Sequence, residues 1–274
     1  MRRCVEYRDI AHIKRCCLWR SGRLVHKFRS MADAKIRLFV EHALGAGQPV
    51  PLTEGQAHYL FGVMRLGVGA AVLLFNGRSG EWRADVAEVG KRGGSLVCSV
   101  QTKPLQLPPD LWLMFAPIKK ARTDFIVEKA VEMGVARILP VQTQHTYADR
   151  IRQDKLQAHA MEAAEQCGAT VVPQVAELAG LERVLAGWDS ARRILWCDEG
   201  LVAGSCALTG RIAGRGAACA ILIGPEGGFS MQEQDRLRAM ACVVPISLGP
   251  RILRADTAAV AALTLWQAAL GDWV

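Results

Sequence analysis

Ile221-Leu222-Ile223-Gly224-Pro225-Glu226-Gly227-Gly228-Phe229-Ser230-Met231-Gln232-Glu233 and Val243-Val244-Pro245-Ile246-Ser247-Leu248-Gly249-Pro250-Arg251-Ile252-Leu253-Arg254-Ala255-Asp256-Thr257-Ala258-Ala259 are two versions of one grammar. Each opens on a short apolar run, the mark of a strand buried on both faces of a parallel sheet. Each run stops at Gly-Pro, which cannot extend a strand ladder. A helix follows each loop. The first carries a capping box, in which Ser230 accepts from the Glu233 amide and Glu233 reaches back to Ser230. Two glycine-bearing loops at the carboxyl ends of adjacent strands predict a ligand crevice in an open α/β sheet.

Gly224, Gly227 and Gly228 let a ligand approach the backbone closely. Exposed amides there can read an adenine edge or hold an anion. A pair of plain tight turns is the simpler alternative. It does not account for an acid, Glu226, in one loop and two arginines, Arg251 and Arg254, in the other. The common nucleotide signatures are absent: there is no G-x-G-x-x-G after a strand and no G-x-x-x-x-G-K-[ST].

The paired stretch resembles the C-terminal motifs of SPOUT-class RNA methyltransferases, and most closely the RsmE family of 16S ribosomal RNA (uracil-N3)-methyltransferases. Lys119–Val135 (KKARTDFIVEKAVEMGV), Glu162–Gly168 (EAAEQCG) and His58–Val86 agree with the same family. The resemblance runs from about Ile36 to the C-terminus. It implies a C-terminal SPOUT domain with a parallel sheet and a deep trefoil knot, preceded by a small PUA-like β-barrel. It also implies S-adenosylmethionine as methyl donor, 16S rRNA of the small ribosomal subunit as substrate, and a homodimer. The donor pocket it implies consists of Ile223, Gly224, Gly227, Gly228, Leu248, Gly249, Ile252 and Leu253, with Glu199 at its border.

Length, charge and cysteines fit that frame. A chain of 274 residues with 51% apolar content builds one or two domains. No apolar run reaches the ~18 residues a membrane span needs, and no signal-peptide pattern opens the chain. The cytoplasm is the expected location. The net charge of +8 is uneven. Residues 1–30 hold nine Lys/Arg and two acids, whereas the rest holds 25 and 24. RNA binding by the main body must therefore come from local arrangement. The nine cysteines form no C-x-x-C pair, and no His stands at zinc-ligand spacing, so neither metal nor disulfide framework is expected.

The chain divides into a basic extension (1–34), a strand-rich segment (35–103), a proline-rich linker (104–110) and an alternating β/α segment (111–274). The extension reads either as an RNA-binding arm or as a start assigned upstream of Met31. We favour the second, and expect a chain beginning at Met31 to fold and work unchanged. In the strand-rich segment Asn76-Gly77 signals a hairpin after Ala71–Phe75. His58–Arg65 predicts a short helix with Leu60, Val63 and Met64 inward. In the β/α segment Thr123–Met133 predicts a helix with Phe125, Ile126, Ala130 and Met133 on one side and Gly134 closing it. The helix from about Thr257 to Leu270 is apolar almost all round and is expected to be buried.

The chemistry the resemblance implies sets two tasks. Uracil N3 lies on the base-pairing edge, so the target must be unpaired or flipped out. N3 must also lose its proton while lined up with the methyl group. Arg254 is the first candidate to donate to a uracil oxygen or hold the target phosphate; the alternative is an ion pair with Asp256 or Glu226. Arg251 is the second candidate. Glu226 is either a base or a brace for its own loop. Arg65, Arg78, Arg83, Lys119 and Arg122 are candidate RNA contacts, against the simpler reading of a solvated surface. Asp256 stands where the family commonly has glutamate, and suits a cap of the last helix. Two rival functions share many of these features: another SPOUT methyltransferase acting on tRNA or ribose 2′-oxygen, and a non-catalytic rRNA-binding assembly protein.

Overall fold

A computed structural model describes residues 34–146, 150–201, 214 and 216–273. The expectations for the basic extension and for a start at Met31 lie outside the described residues.

The first sheet is built from β1 (Arg37–Phe39), β2 (Pro49–Pro51), β3 (Ala71–Phe75), β4 (Glu81–Val89) and β5 (Gly94–Lys103), in the order β1-β3-β4-β5-β2. β1 runs parallel to β3 and the other pairs are antiparallel. Alternate residues (Leu38, Val50, Val72, Leu74, Leu96) share one core. The expected barrel is thus a sheet wrapped around that core, with no ladder joining its β1 and β2 edges among the described residues. The Asn76-Gly77 signal marks a longer connection than a two-residue hairpin. Phe75 pairs with Glu81, which leaves five residues in the loop. The Asn76 side chain accepts from the amides of Arg78 (3.0 Å) and Ser79 (2.8 Å) and so builds the turn.

Between β2 and β3, α1 (Glu54–Ala57) continues directly into a π-helical turn, His58–Val63. The Met64 amide bonds the Tyr59 carbonyl at 2.9 Å, five residues back. This wider turn shifts the phase of the side chains. Leu60 is fully buried, but Val63 and Met64 are 58% and 41% exposed, contrary to the helical-period expectation.

Residues 104–110 are docked onto the second domain. The Gln106 amide donates to Thr170 Oγ1 (2.9 Å), and that hydroxyl donates to the Gln106 carbonyl (3.0 Å).

The second sheet is parallel in every pairing. Its elements are β6 (Leu111–Phe115), α2 (Lys120–Glu132), β7 (Arg137–Gln142), α3 (Gln153–Cys167), β8 (Gln174–Val175), β9 (Ala179–Gly180), α4 (Leu181–Ala186), β10 (Arg193–Cys197), β11 (Cys219–Ile223), α5 (Met231–Ala239), β12 (Val243–Ile246) and α6 (Ala255–Leu270). The order is β12-β10-β11-β6-β7-β8, with β9 also on β7. β11 is buried at every residue, as its unbroken apolar run predicts. Its alternation feeds two cores. Ile221 and Ile223 meet α2, α3 and α6, while Ala220 and Leu222 meet Leu181, Leu185 and Leu237 of α4 and α5.

This order corrects one expectation. β11 and β12 are not neighbours, because β10 lies between them. Three carboxyl ends, not two, therefore meet at the crevice. Gly134 closes α2 in the left-handed conformation at φ 72°, as expected. Phe125 is 39% exposed, since Ile126, Val127 and Ala130 carry the buried face. α6 buries Ala258, Ala259, Ala262, Leu263 and Trp266, yet Thr257, Leu265 and Ala268 are exposed, so it is not buried all round. The cap position of α6 is Arg254, not Asp256. Asp256 lies in the first turn and accepts from the Thr257 amide (2.9 Å). A carboxylate there still suits the helix dipole.

Candidate active site

The carboxyl ends of β11, β10 and β12 surround a cavity of about 370 Å³. The loop after β11 is stiffened from behind by the Ser230–Glu233 capping box. Glu233 Oε2 accepts from the Ser230 amide (2.9 Å), while its Oε1 accepts from the Gln144 amide (2.8 Å) after β7. Inside that loop Gly228 has φ 66°, and a Cβ on it would lie 2.5 Å from Glu199 Oε1. A side chain there would be strained and would collide with the carboxylate at the end of β10. A Cβ on Gly224 would lie 2.7 Å from the Phe229 ring. Phe229 in turn stands edge-to-face on Trp196, with ring centroids 5.9 Å apart. The apolar floor of the cavity and the glycine loop thus fit each other without slack.

Ile223, Gly224, Gly228, Leu248, Gly249, Ile252 and Leu253 of the expected pocket all line this cavity, as does Glu199. Gly227 does not. It backs onto His145, whose Nδ1 lies 2.9 Å from the Gly227 carbonyl and 3.2 Å from that of Gly228. Carbonyl oxygens only accept, so Nδ1 carries the hydrogen and donates. Nothing in the local sequence singles out His145, which reaches this loop across 82 residues.

The expected charges sort differently from the sequence reading. Arg254 and Arg251 are exposed at the cavity and have no side-chain hydrogen bond or ion pair among the described residues. The ion pairs considered for Arg254 belong instead to Arg122. Arg122 Nη1 lies 3.0 Å from Glu226 Oε1, and its Nε lies 3.7 Å from Asp256 Oδ2. Arg122, on α2, therefore joins the loop after β11 to the start of α6, one element on each side of the cavity. These pairings engage part of the guanidinium that was expected to contact RNA. Of the other RNA candidates, Arg65, Arg78 and Lys119 are exposed. Arg83 is not available to a phosphate, because its side chain is 11% exposed and pairs with Asp85 at 3.4 Å.

The bridge through Arg122 predicts a measurable coupling. Arg122→Ala is expected to weaken donor binding about fivefold, in line with a partly exposed ion pair worth about 1 kcal/mol. Glu226→Gln in the Arg122→Ala background should add little. Calorimetric titration of the four proteins of this cycle checks it, and independent, additive losses would rule the bridge out.

The residues around the cavity suit a nucleoside-type donor. They offer an apolar floor, backbone groups brought close by glycine, and charges of both signs at the rim (Asp198, Glu199, Glu226, Arg251 and Arg254). Among the described residues no cluster of three His, Cys, Asp or Glu could hold a metal ion, and no helix is long and apolar enough to cross a membrane.

The profile of an RNA methyltransferase domain matches residues 105–267, and that of an RNA methyltransferase PUA domain matches residues 52–97. Ribosomal RNA small subunit methyltransferase E of Rickettsia conorii is 27% identical over 228 residues, covering 83% of this chain and 93% of the relative. The protein of that name from Synechocystis sp. is 30% identical over 220 residues, covering 78% and 71%. The crystal structure of ribosomal RNA small subunit methyltransferase E from Neisseria gonorrhoeae bound to S-adenosyl methionine superposes with TM-score 0.79 at 27% identity. It covers 87% of this chain and 99% of that one. The fold is that of an RNA methyltransferase. Within that class, the chain belongs to the ribosomal RNA small subunit methyltransferase E family.

Proposed function

We propose that this chain methylates N3 of a uridine in 16S rRNA of the small ribosomal subunit, with S-adenosylmethionine as donor. The observation that carries the reading is an arginine, Arg254, with no side-chain partner among the described residues, beside a glycine-walled cavity at the carboxyl ends of three parallel strands. The names of the relatives support the rRNA substrate, and the Neisseria complex supports the donor.

The donor supplies a methyl group on a positively charged sulfur. In this reading backbone groups around Gly224, Gly228 and Gly249, with Leu248 and Leu253, hold the donor. Ile223 and Phe229 exclude water from beneath it. Arg254 donates to a uracil oxygen and stabilises the negative charge that develops as N3 gives up its proton to solvent water. Arg251 stands second in line for that task. Glu226 is engaged by Arg122, which favours a brace for the loop over a general base. Exposed Arg65, Arg78 and Lys119 offer phosphate contacts. Residues 35–103 form the PUA-like RNA-binding domain, 104–110 the linker and 111–274 the SPOUT domain.

The passage of β12 to the far side of β10 is compatible with the trefoil knot that the SPOUT class implies. The exposed Leu265 on α6 suits a homodimer contact. Sedimentation is expected to give a dimer at micromolar concentration, and a fully active monomer would remove that part of the reading. The location that goes with this function is the cytoplasm.

The test is mass spectrometry of nucleosides from small-subunit rRNA of a strain lacking this chain. Loss of 3-methyluridine, restored by the chain, is the expected result. Loss of a ribose-methylated nucleoside instead would favour a 2′-oxygen target.

A further inference from the structure

The Arg37 side chain sits where the two sheets' domains meet. It belongs to β1, at the edge of the five-stranded sheet, and it reaches the carboxyl end of α3 in the donor-binding domain. Its Nη1 donates to the carbonyls of Ala164 (2.5 Å) and Glu165 (2.8 Å), and its Nη2 to that of Ala169 (2.6 Å). These are orphan carbonyls at and just beyond the end of a helix, where the dipole favours a cation. Nε of the same guanidinium donates to Glu81 Oε2 (2.7 Å) in β4. Four contacts thus use one planar fork on two domains at once.

The surroundings reinforce the junction. Glu81 is 1% exposed and also accepts from Thr102 Oγ1 at 2.8 Å. Lys103 Nζ stands 3.8 Å from Glu81 and donates to the Gly168 carbonyl at 3.4 Å. The Phe39 amide of β1 donates to Glu165 Oε1 (2.8 Å). Phe75 of β3 is buried in the core of the donor-binding domain, 4.5 Å below the Arg37 guanidinium. The Gln106–Thr170 pair fastens the linker to the same helix end. A proline-rich linker alone would leave two domains free to reorient. This junction removes that freedom.

We propose that Arg37 is a positioning residue that holds the five-stranded sheet and the donor-binding domain as one rigid body. RNA gripped by the sheet is then presented at a fixed distance from the donor pocket. This rests on the rRNA methyltransferase reading. Without the junction the two grips on the substrate are joined only by the linker at residues 104–110, which lowers their effective concentration. The loss falls on recognition of the large RNA particle and leaves the donor pocket intact.

The experiment compares the full chain with Arg37→Ala. Residual dipolar couplings from the two domains should fit one alignment tensor in the parent and two in the variant. KM for small-subunit particles should rise about tenfold or more, while donor Kd stays within about twofold. Arg37→Lys should recover little, because an ammonium cannot reach three carbonyls and a carboxylate together. If Arg37→Ala does not fold, the paired change Lys103→Met with Thr170→Val loosens the same junction and carries the same expectations. A single tensor with unchanged KM in the folded variant overturns the proposal. The coupling measurement needs no RNA. If the parent methylates no rRNA, the functional reading fails while rigidity is still decided.

Discussion

Arg254→Ala is expected to slow methyl transfer about a hundredfold or more, the usual cost of losing one donor to a developing oxyanion. S-adenosylmethionine affinity should stay within a few-fold. The expectation rests on how the charges around the cavity are distributed. Glu226 and Asp256 could each have held Arg254 in an ion pair. Both are engaged by Arg122, at 3.0 and 3.7 Å. Among the described residues Arg254 is left exposed and without a side-chain partner at the cavity, and its carbonyl, at the start of α6, accepts from the Ala258 amide at 2.7 Å. Its removal should therefore cost little stability, and the loss should appear in the rate. Arg254→Lys should rescue little, since a point charge cannot reproduce a planar fork. Single-turnover transfer to small-subunit particles and calorimetric donor binding separate the outcomes. Collapse of donor binding would assign Arg254 to the cofactor. No change in either quantity would move the role to Arg251.

The sequence carried the local grammar well. The apolar runs at Ile221 and Val243 are strands, and the Ser230–Glu233 box forms with both of its hydrogen bonds. Such features depend on neighbours a few residues apart, which periodicity and capping rules describe. The failures share the opposite character. The place of β10 between β11 and β12 is a matter of strand order, and alternation within a strand says nothing about which strand lies beside it. Arg122 meets Glu226 across 104 residues, and Arg37 meets the end of α3 across 127. An arginine in a helix or an edge strand has no local mark that tells an RNA contact from an internal tie. The π-turn at His58–Val63 failed differently. It is local, but the hydrogen-bond step of five residues displaces Val63 and Met64 from the face a normal helix would give them. Within the pocket, Gly227 stands with Gly224 and Gly228 by residue type and by the family resemblance. Only the path of the loop turns it toward His145.

Gly224→Ala is the complementary experiment, and its expected effect is on the donor. The added methyl would lie 2.7 Å from Cε2 of Phe229 and 3.2 Å from two further ring atoms. Those distances are well inside van der Waals contact, so either the ring or the loop must move. The ring has little room, because it is 9% exposed and its neighbour Trp196 is 1% exposed. Trp196 is itself covered by the Arg238 guanidinium, 5.4 Å from its ring. Overpacking of this kind typically costs about 1–3 kcal/mol. Here the strain falls on the two groups that shape the cavity, the Phe229 ring and the backbone at Gly224. Donor Kd is expected to rise about tenfold or more, with a modest fall in the thermal midpoint. Gly224→Ala combined with Phe229→Leu, which removes the colliding ring edge, should recover much of the stability. It should recover less of the affinity, because the floor against Trp196 is then incomplete. Calorimetric titration with S-adenosylmethionine, beside thermal unfolding of the same samples, gives both quantities. Wild-type donor affinity in Gly224→Ala would mean that the loop after β11 yields without disturbing the pocket, and the donor would then have to be held chiefly by the loop after β12.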